Sequence, residues 1–325
     1  MTENLTIRFW GVRGSHPTPG LGTVRFGGNT ACVEVNAGDK TLILDAGTGI
    51  IPLGRDLVRR SVAHQRPLEA VVLFSHLHHD HTQGFPFFAP AYLPQARLHI
   101  FGPGMTPETL ETVLEANQSP QTFPVGLREM ASAKDIRSLR EAESVVWDET
   151  GVHITEAGQS SGNDALVVHI QRSYAHPGGV YVYRVEWRGQ SLVYATDTEG
   201  YVGGDRRLVK FAQGADALVH DAQYSEAHYR GGLPGLPPTQ GYGHSTVAMA
   251  CEVAAAADVG QLLLFHHDPA YDDKTIEGLE KEARVRFPHA LAAYEGLEVK
   301  VAPALRLHKR EAEAGKWRVK YAQHA

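Results

Sequence analysis

Cysteine is nearly absent from this chain of 325 residues: Cys32 and Cys251 stand far apart and form no pair motif. That excludes a disulfide framework and argues against a cysteine-based structural zinc cluster. Both read as small buried side chains, and a reducing, cytoplasmic compartment is the expectation. Long hydrophobic runs are missing too. No apolar stretch approaches the roughly 20 residues of a membrane helix, so no membrane partner is expected. The opening MTENLTIRFWG carries charge where a signal peptide needs an apolar block. Nor is there an excess of positive charge. Lys and Arg number 31 against 37 Asp and Glu, a net charge of −6, so no basic stripe advertises a nucleic acid held by charge alone. A small anionic substrate held by metal ions remains open. Short repeats and low-complexity segments are also lacking.

What is present is ordinary in bulk and unusual in one residue. A chain 42% hydrophobic and 21% charged is typical of a soluble globular protein. The expectation is one domain over 1–325, with an insertion or cap at about 84–150 and a peripheral charged tail after about 307. Histidine is over-represented, with 18 copies. As the commonest side-chain metal ligand and a proton carrier near neutral pH, it directs attention to where those copies fall.

Periodicity gives a coarse layout. Leu5–Trp10, Ala31–Val35 and Thr41–Leu44 read as strands. Small residues in Asp45-Ala46-Gly47-Thr48-Gly49 turn the chain into a helical stretch, Ile50–Arg60. Glu69–Phe74 is a buried strand. Beyond Gly84 come an aromatic and proline-rich run, a strand at Arg97–Phe101, and helical patterns at Pro107–Ala116 and Ala133–Glu143. Val152–Thr155, Leu166–Arg172, Val180–Trp187 and Ser191–Ala195 form a second β-rich block, with a tight hairpin at Arg188-Gly189-Gln190. Ala217–His220 and Leu262–Phe265 are apolar strands. Thr246–Ala257 is a helix capped by Ser245 or Thr246, and Lys274–Val285 is another. Two packed sheets with helices outside satisfy this order.

The chemistry starts at Ser75–Gly84, SHLHHDHTQG. It leaves the end of an apolar strand, where open α/β structures place their sites. His76 and His78 project from one side of extended chain. Asp80 and His81 fall where the chain turns into a helix. One ion served by all four is sterically awkward, whereas two ions about 3.5–4 Å apart fit better. More ligands are then needed at other strand ends. His176, Asp197 and His266 each sit just past an apolar run, and the two oxygens of Asp197 suit a bridge between ions. His267 competes with His266, Asp221 fits a supporting role, and His169 lies inside a strand as a packed histidine.

His76, His78, Asp80, His81, His176, Asp197 and His266 resemble the seven-ligand set of the metallo-β-lactamase superfamily. The resemblance covers roughly residues 5–300 and implies an α/β fold, a four-layer αββα sandwich with a dinuclear site at the edge of its sheets. Gly243-His244-Ser245-Thr246, with the phrases FWGVRGS, GGNTACVEV and LDAGTG, is similar to the branch holding the tRNA 3′-processing endonuclease Z and bacterial cyclic-phosphodiester hydrolases. That likeness implies His244 as proton donor and a homodimer. The long arm with which that nuclease holds tRNA has no counterpart here. Tyr229–Gly243 is short and, apart from Arg230, uncharged, which argues against tRNA and for a small or cyclic phosphodiester.

Two divalent ions lower the pKa of a shared water toward about 7. His244 then serves the departing alkoxide as general acid, and Asp80 counts with it as catalytic. Zinc is the first expectation, and manganese or iron suits the same donors. Phe85, Phe87, Phe88 and Tyr92 are candidates to stack a nucleobase, and Arg13, Ser15 and His16 to reach substrate. The same ligand set also serves lactonases, thioesterases and β-lactamases, which attack carbonyl carbon. A regulator that binds without turnover is the rival from another class.

Overall fold

A computed structural model describes residues 4–104, 109–159, 162, 164–201 and 204–302. The expected tail after about 307 and the start of the Pro107–Ala116 helix lie partly or wholly outside them. In chain order the strands are β1 (Leu5–Gly11), β2 (Cys32–Ala37), β3 (Lys40–Leu44), β4 (Glu69–Leu73), β5 (Arg97–Pro103), β6 (Ala133–Leu139), β7 (Glu143–Asp148) and β8 (Gly151–Glu156). There follow β9 (Leu166–Ser173), β10 (Val180–Trp187), β11 (Gln190–Ala195), β12 (Ala217–Asp221), β13 (Gln261–Phe265), β14 (Ala290–Ala292) and β15 (Glu298–Lys300). The helices are α1 (Ile50–His64), α2 (His79–Thr82), α3 (Leu110–Asn117), α4 (Arg206–Ala212), α5 (Glu226–Tyr229), α6 (Val247–Ala256) and α7 (Asp273–Arg286).

One sheet runs β15-β1-β2-β3-β4-β5-β6 and the other β14-β13-β12-β11-β10-β9-β7-β8. Alternation along the strands builds the layers. Val33, Leu42, Leu44, Val71 and Leu73 of the first sheet meet Tyr183, Leu192, Tyr194, Val219, Leu263 and Phe265 of the second in a shared core. Their neighbours Ile43, Ala70 and Val72 pack outward with Ile50, Leu53 and Leu57 of α1. Val193, Leu218, Leu262 and Leu264 pack outward with Val247, Ala250 and Cys251 of α6 and Ile276 of α7. The result is the αββα sandwich.

Local chemistry explains the boundaries. Buried Ile50, Leu53, Gly54 and Leu57 recur at the spacing that gives α1 one apolar face. Thr246 caps α6, its hydroxyl accepting from the Met249 N–H. Arg188 and Gly189 both take positive φ, 48° and 75°, the pairing a two-residue hairpin needs.

Two expectations are corrected. Ala133–Glu143 is not helical: Ala133–Leu139 is β6, paired in parallel with all seven residues of β5. Sheet pairing overrode a local pattern that spaced Ile136 and Leu139 as on a helix. The segment at about 84–150 is also more than an insertion or cap. It supplies β5 and β6 to the edge of the first sheet and β7 to the second.

For the site, strand direction matters most. β3 and β4 run in parallel, as do β11, β12 and β13. Their carboxyl ends therefore open at one edge, where Asp45, Ser75–His81, Asp197, Asp221 and His266 emerge. The sheets are tied together there. Tyr183 donates its hydroxyl to the Phe74 carbonyl at 2.6 Å, and the Tyr181 N–H donates to the Ser75 carbonyl at 2.8 Å.

Candidate metal centre

All seven sequence-predicted ligands converge at this edge. His76, His78 and His176 offer nitrogens within 4.8 Å of one another, and Asp80, His81, Asp197 and His266 form a second such group. Asp197 joins them. One of its oxygens lies 3.7 Å from His76 Nε2 and 3.9 Å from His176 Nε2. The other lies 3.2 Å from His81 Nε2 and 3.4 Å from His266 Nε2.

The far nitrogens of three rings are tied to acceptors. His81 Nδ1 donates to Asp45 at 2.8 Å, His176 Nδ1 to the Gly243 carbonyl at 3.1 Å, and His266 Nδ1 to Gln223 Oε1 at 2.8 Å. In neutral rings this fixes the tautomer and leaves each Nε2 lone pair facing the centre, the pattern of oriented metal ligands. Burial pushes His76 and His176 below the ordinary histidine range, keeping their lone pairs available.

Divalent cations fit these residues. His76 Nε2 is buried and has no hydrogen-bond partner. Two imidazole nitrogens, His81 Nε2 and His266 Nε2, approach to 3.2 Å, and His176 Nε2 and His78 Nδ1 to 3.1 Å. Because His81 and His266 both donate outward through Nδ1, their Nε2 lone pairs face each other, and a proton or a cation between them is needed to relieve that contact; His78 Nδ1–H can close the other pair as an ordinary hydrogen bond to His176 Nε2. Burial opposes charge on His81, yet Asp197, Asp80 and Asp45 raise it well above its usual value. A site that demands a proton this strongly suits a cation. Burial likewise opposes ionised Asp80 and Asp197, but the surrounding histidines hold both well below the usual carboxylate range.

Asp221 belongs to the support instead. One oxygen accepts from Gln223 N–H at 3.1 Å and Ser245 N–H at 2.9 Å. The other accepts from Asp197 N–H at 3.1 Å and His244 Nδ1 at 2.7 Å. Burial works to lower the His244 pKa, but Asp221 prevails and pushes it up to about 9. Asp221 thus favours the protonated form of His244, whose ring lies against the ligands, 5.0 Å from both His176 and His266. His267 turns away: its Nε2 donates to the Ala293 carbonyl at 2.9 Å, and burial brings it down to about 3. His169 faces the outer side of β9, beside Ser144 Oγ at 3.1 Å.

Two other expectations fail here, those for Arg13 and for the aromatic set. Arg13 is fully buried and cannot reach a substrate: its guanidinium donates to the carbonyls of Gly27, Asp268 and Tyr271. His16 is exposed and lies against the Pro17 carbonyl, while Ser15 supports Asp80 through its backbone N–H at 2.7 Å. Phe85 and Phe88 belong to the outer core, and Tyr92 donates to the Pro86 carbonyl. Of that aromatic set Phe87 alone is largely exposed, so no four-ring stacking platform exists.

Sequence reading missed Asp45 and Gln223. Asp45 accepts from Ser75 N–H at 2.7 Å, Ser75 Oγ at 2.8 Å, His81, and the Tyr194 hydroxyl at 2.7 Å. The available signal was the rule that found Asp197, an acidic residue just past an apolar strand. Backbone strain marks the same places: Ser15, Asp45, Asp197 and His266 have φ between 52° and 63°.

Gly243 gives a sharp test of this packing. At φ 88°, a Cβ there would fall 2.3 Å from His176 Nδ1. Gly235 has φ 80° with nothing within 4 Å. Gly243→Ala should therefore lose about 1–3 kcal/mol more than Gly235→Ala, since both share the left-handed strain and only one adds a clash. Urea unfolding of the two variants measures the difference; equal midpoints would mean that His176 moves aside freely.

The Beta-lactamase superfamily domain profile matches residues 40–267. Ribonuclease Z of Gemmatimonas aurantiaca is 26% identical over 332 aligned positions, covering 92% of this chain and 96% of that protein. Ribonuclease Z of Mycolicibacterium paratuberculosis is 30% identical over 273 positions, covering 80% of this chain and 86% of that protein. A metallo-beta-lactamase fold protein of Bacillus subtilis superposes with a TM-score of 0.63 at 18% identity, over 91% of this chain and 99% of that one, a likeness of fold.

Proposed function

The chain belongs to the metallo-β-lactamase superfamily, in the branch that includes ribonuclease Z, and from that premise we infer that its His/Asp centre hydrolyses phosphodiester bonds with two divalent cations in place. The observation that carries this reading is the division of Asp197, one oxygen toward each histidine group, beside a His244 ring anchored to Asp221 at 2.7 Å. The cations, when bound, supply an acidified water and neutralise charge on phosphoryl oxygens. This chain's residues do the rest. His76, His78 and His176 would hold one cation, Asp80, His81 and His266 the other, and Asp197 both. Asp45 and Gln223 keep the rings oriented. His244, held by Asp221, gives its proton to the leaving oxygen.

The ligand types favour zinc, and manganese or iron suits the same set. The missing long arm, the short Tyr229–Gly243 segment and the net charge had set tRNA aside, but relatives named ribonuclease Z, aligned over most of their length, weigh against that exclusion. RNA is therefore the first substrate class. A small or cyclic phosphodiester is the second. It is favoured by the short Tyr229–Gly243 segment, whose one cation, Arg230, is paired with Glu226 at 3.0 Å. The setting we propose is cytoplasmic: both cysteines are free and buried, and no helix among the described residues is long and apolar enough to cross a membrane.

Metal analysis combined with a substrate screen tests the reading. About two metal equivalents per chain are expected. Turnover is expected with RNA carrying a 3′ extension, 3′,5′-cyclic nucleotides or bis-p-nitrophenyl phosphate, and it should stop on chelation. Hydrolysis of lactones or nitrocefin alone would overturn it, and the RNA and cyclic-nucleotide arms decide between the two substrate classes.

A further inference from the structure

Glu199 lies two residues past Asp197 and is only partly buried. Its carboxylate accepts three hydrogen bonds, all from the Tyr229–Gly243 segment. One oxygen takes the Tyr229 hydroxyl at 2.5 Å and the Gly241 N–H at 2.8 Å. The other takes the Gly243 N–H at 2.9 Å. Beyond Tyr229 the segment holds no helix or strand. Gly231, Gly235, Gly241 and Gly243 all have φ between 77° and 88°. Such a chain has little stiffness of its own, and its backbone donors need acceptors from outside.

Gly243 then transmits the restraint. Its N–H is held by Glu199, its carbonyl receives His176 Nδ1, and the next residue is His244. A negative charge at the rim of a site for anionic substrates is electrostatically unfavourable, so its presence calls for a positive reason. We propose that Glu199 is a positioning residue that latches the Tyr229–Gly243 segment and thereby fixes both the His176 ring and the proton donor His244.

Glu199→Gln tests the latch. The amide replaces one accepting oxygen with a donor, which then faces another N–H or the phenol. Three readouts apply to metal-loaded protein. Tryptic cleavage after Arg230, inside the segment, should accelerate at least about tenfold. The visible spectrum of the cobalt-substituted protein should change, because His176 loses its fixed orientation. kcat on a phosphodiester should fall about 10–100-fold, the usual cost of an outer orienting group, with KM within about twofold. Only the kinetic arm rests on the function proposed above. Absence of turnover in the unmodified protein would sink that function while the cleavage and spectral arms still decide on Glu199. Unchanged cleavage and an unchanged cobalt spectrum would overturn the latch, whatever the kinetics. Should Glu199→Gln fail to fold, Tyr229→Phe removes one donor and leaves the carboxylate; a shift of smaller size in cleavage and spectrum supports the latch, and none overturns it.

Discussion

Asp197→Asn should abolish turnover while leaving a folded protein. Asparagine is nearly isosteric and tolerates the left-handed backbone, φ 52°, that position 197 adopts. What changes is the charge and one oxygen. Each carboxylate oxygen serves a different histidine group, 3.2 Å from His81 and 3.7 Å from His76 at the nearest approaches. In the variant one group faces an amide N–H₂ instead of an acceptor, and the centre loses a negative charge it needs to hold two dications. Metal charge stabilisation is worth several kcal/mol in such reactions, and each ~1.4 kcal/mol is a factor of ten. The expected loss in kcat is therefore at least about 10³-fold, with bound metal falling from about two equivalents to one or fewer. Elemental analysis beside a phosphodiesterase assay measures both. A variant that keeps two equivalents and near-normal turnover would remove Asp197 from the centre.

The second large effect separates proton donation from metal holding. His244→Ala should retain the metal, since His244 Nδ1 donates to Asp221 at 2.7 Å, lies 3.9 Å from Asp197, and leaves the other ligand-orienting contacts of Asp221 in place. With an alkoxide leaving group, kcat should fall about 10²–10⁴-fold, the usual worth of general acid help. With bis-p-nitrophenyl phosphate the loss should be far smaller, because p-nitrophenolate departs without a proton. Asp221→Asn should reproduce part of this pattern: it removes the charge that keeps His244 protonated near neutral pH, where its pKa is pushed up to about 9. Equal losses on good and poor leaving groups would show that His244 serves some other step.

Much of the fold and of this site was legible in the sequence, for a physical reason. Apolar strands announce themselves by composition, and parallel strands deliver whatever follows them to one edge. His76–His81, Asp197 and His266 could thus be found by asking which metal-capable residue comes next after such a run. Asp45 follows β3 in the same way and was overlooked because a lone aspartate in a glycine-rich turn also reads as turn chemistry. Gln223 and Glu199 left no signal, since their roles exist only once separate loops meet. Arg13 misled for the converse reason: a charged residue in a loop suggests solvent, and nothing local reveals three carbonyls closing around it. The β6 error has a third cause. Ala133–Leu139 takes its conformation from β5, whose paired residues lie 36 positions earlier in the chain (133 − 97).

Asp45 carries a consequence that reaches past catalysis. Its carboxylate binds His81 on the first sheet's side and Tyr194 on the second's, so the group that orients a ligand also staples the two halves of the sandwich. Cations held by this site in the folded chain and not in the unfolded one would therefore return as resistance to denaturation, with Asp45 passing the restraint to both sheets.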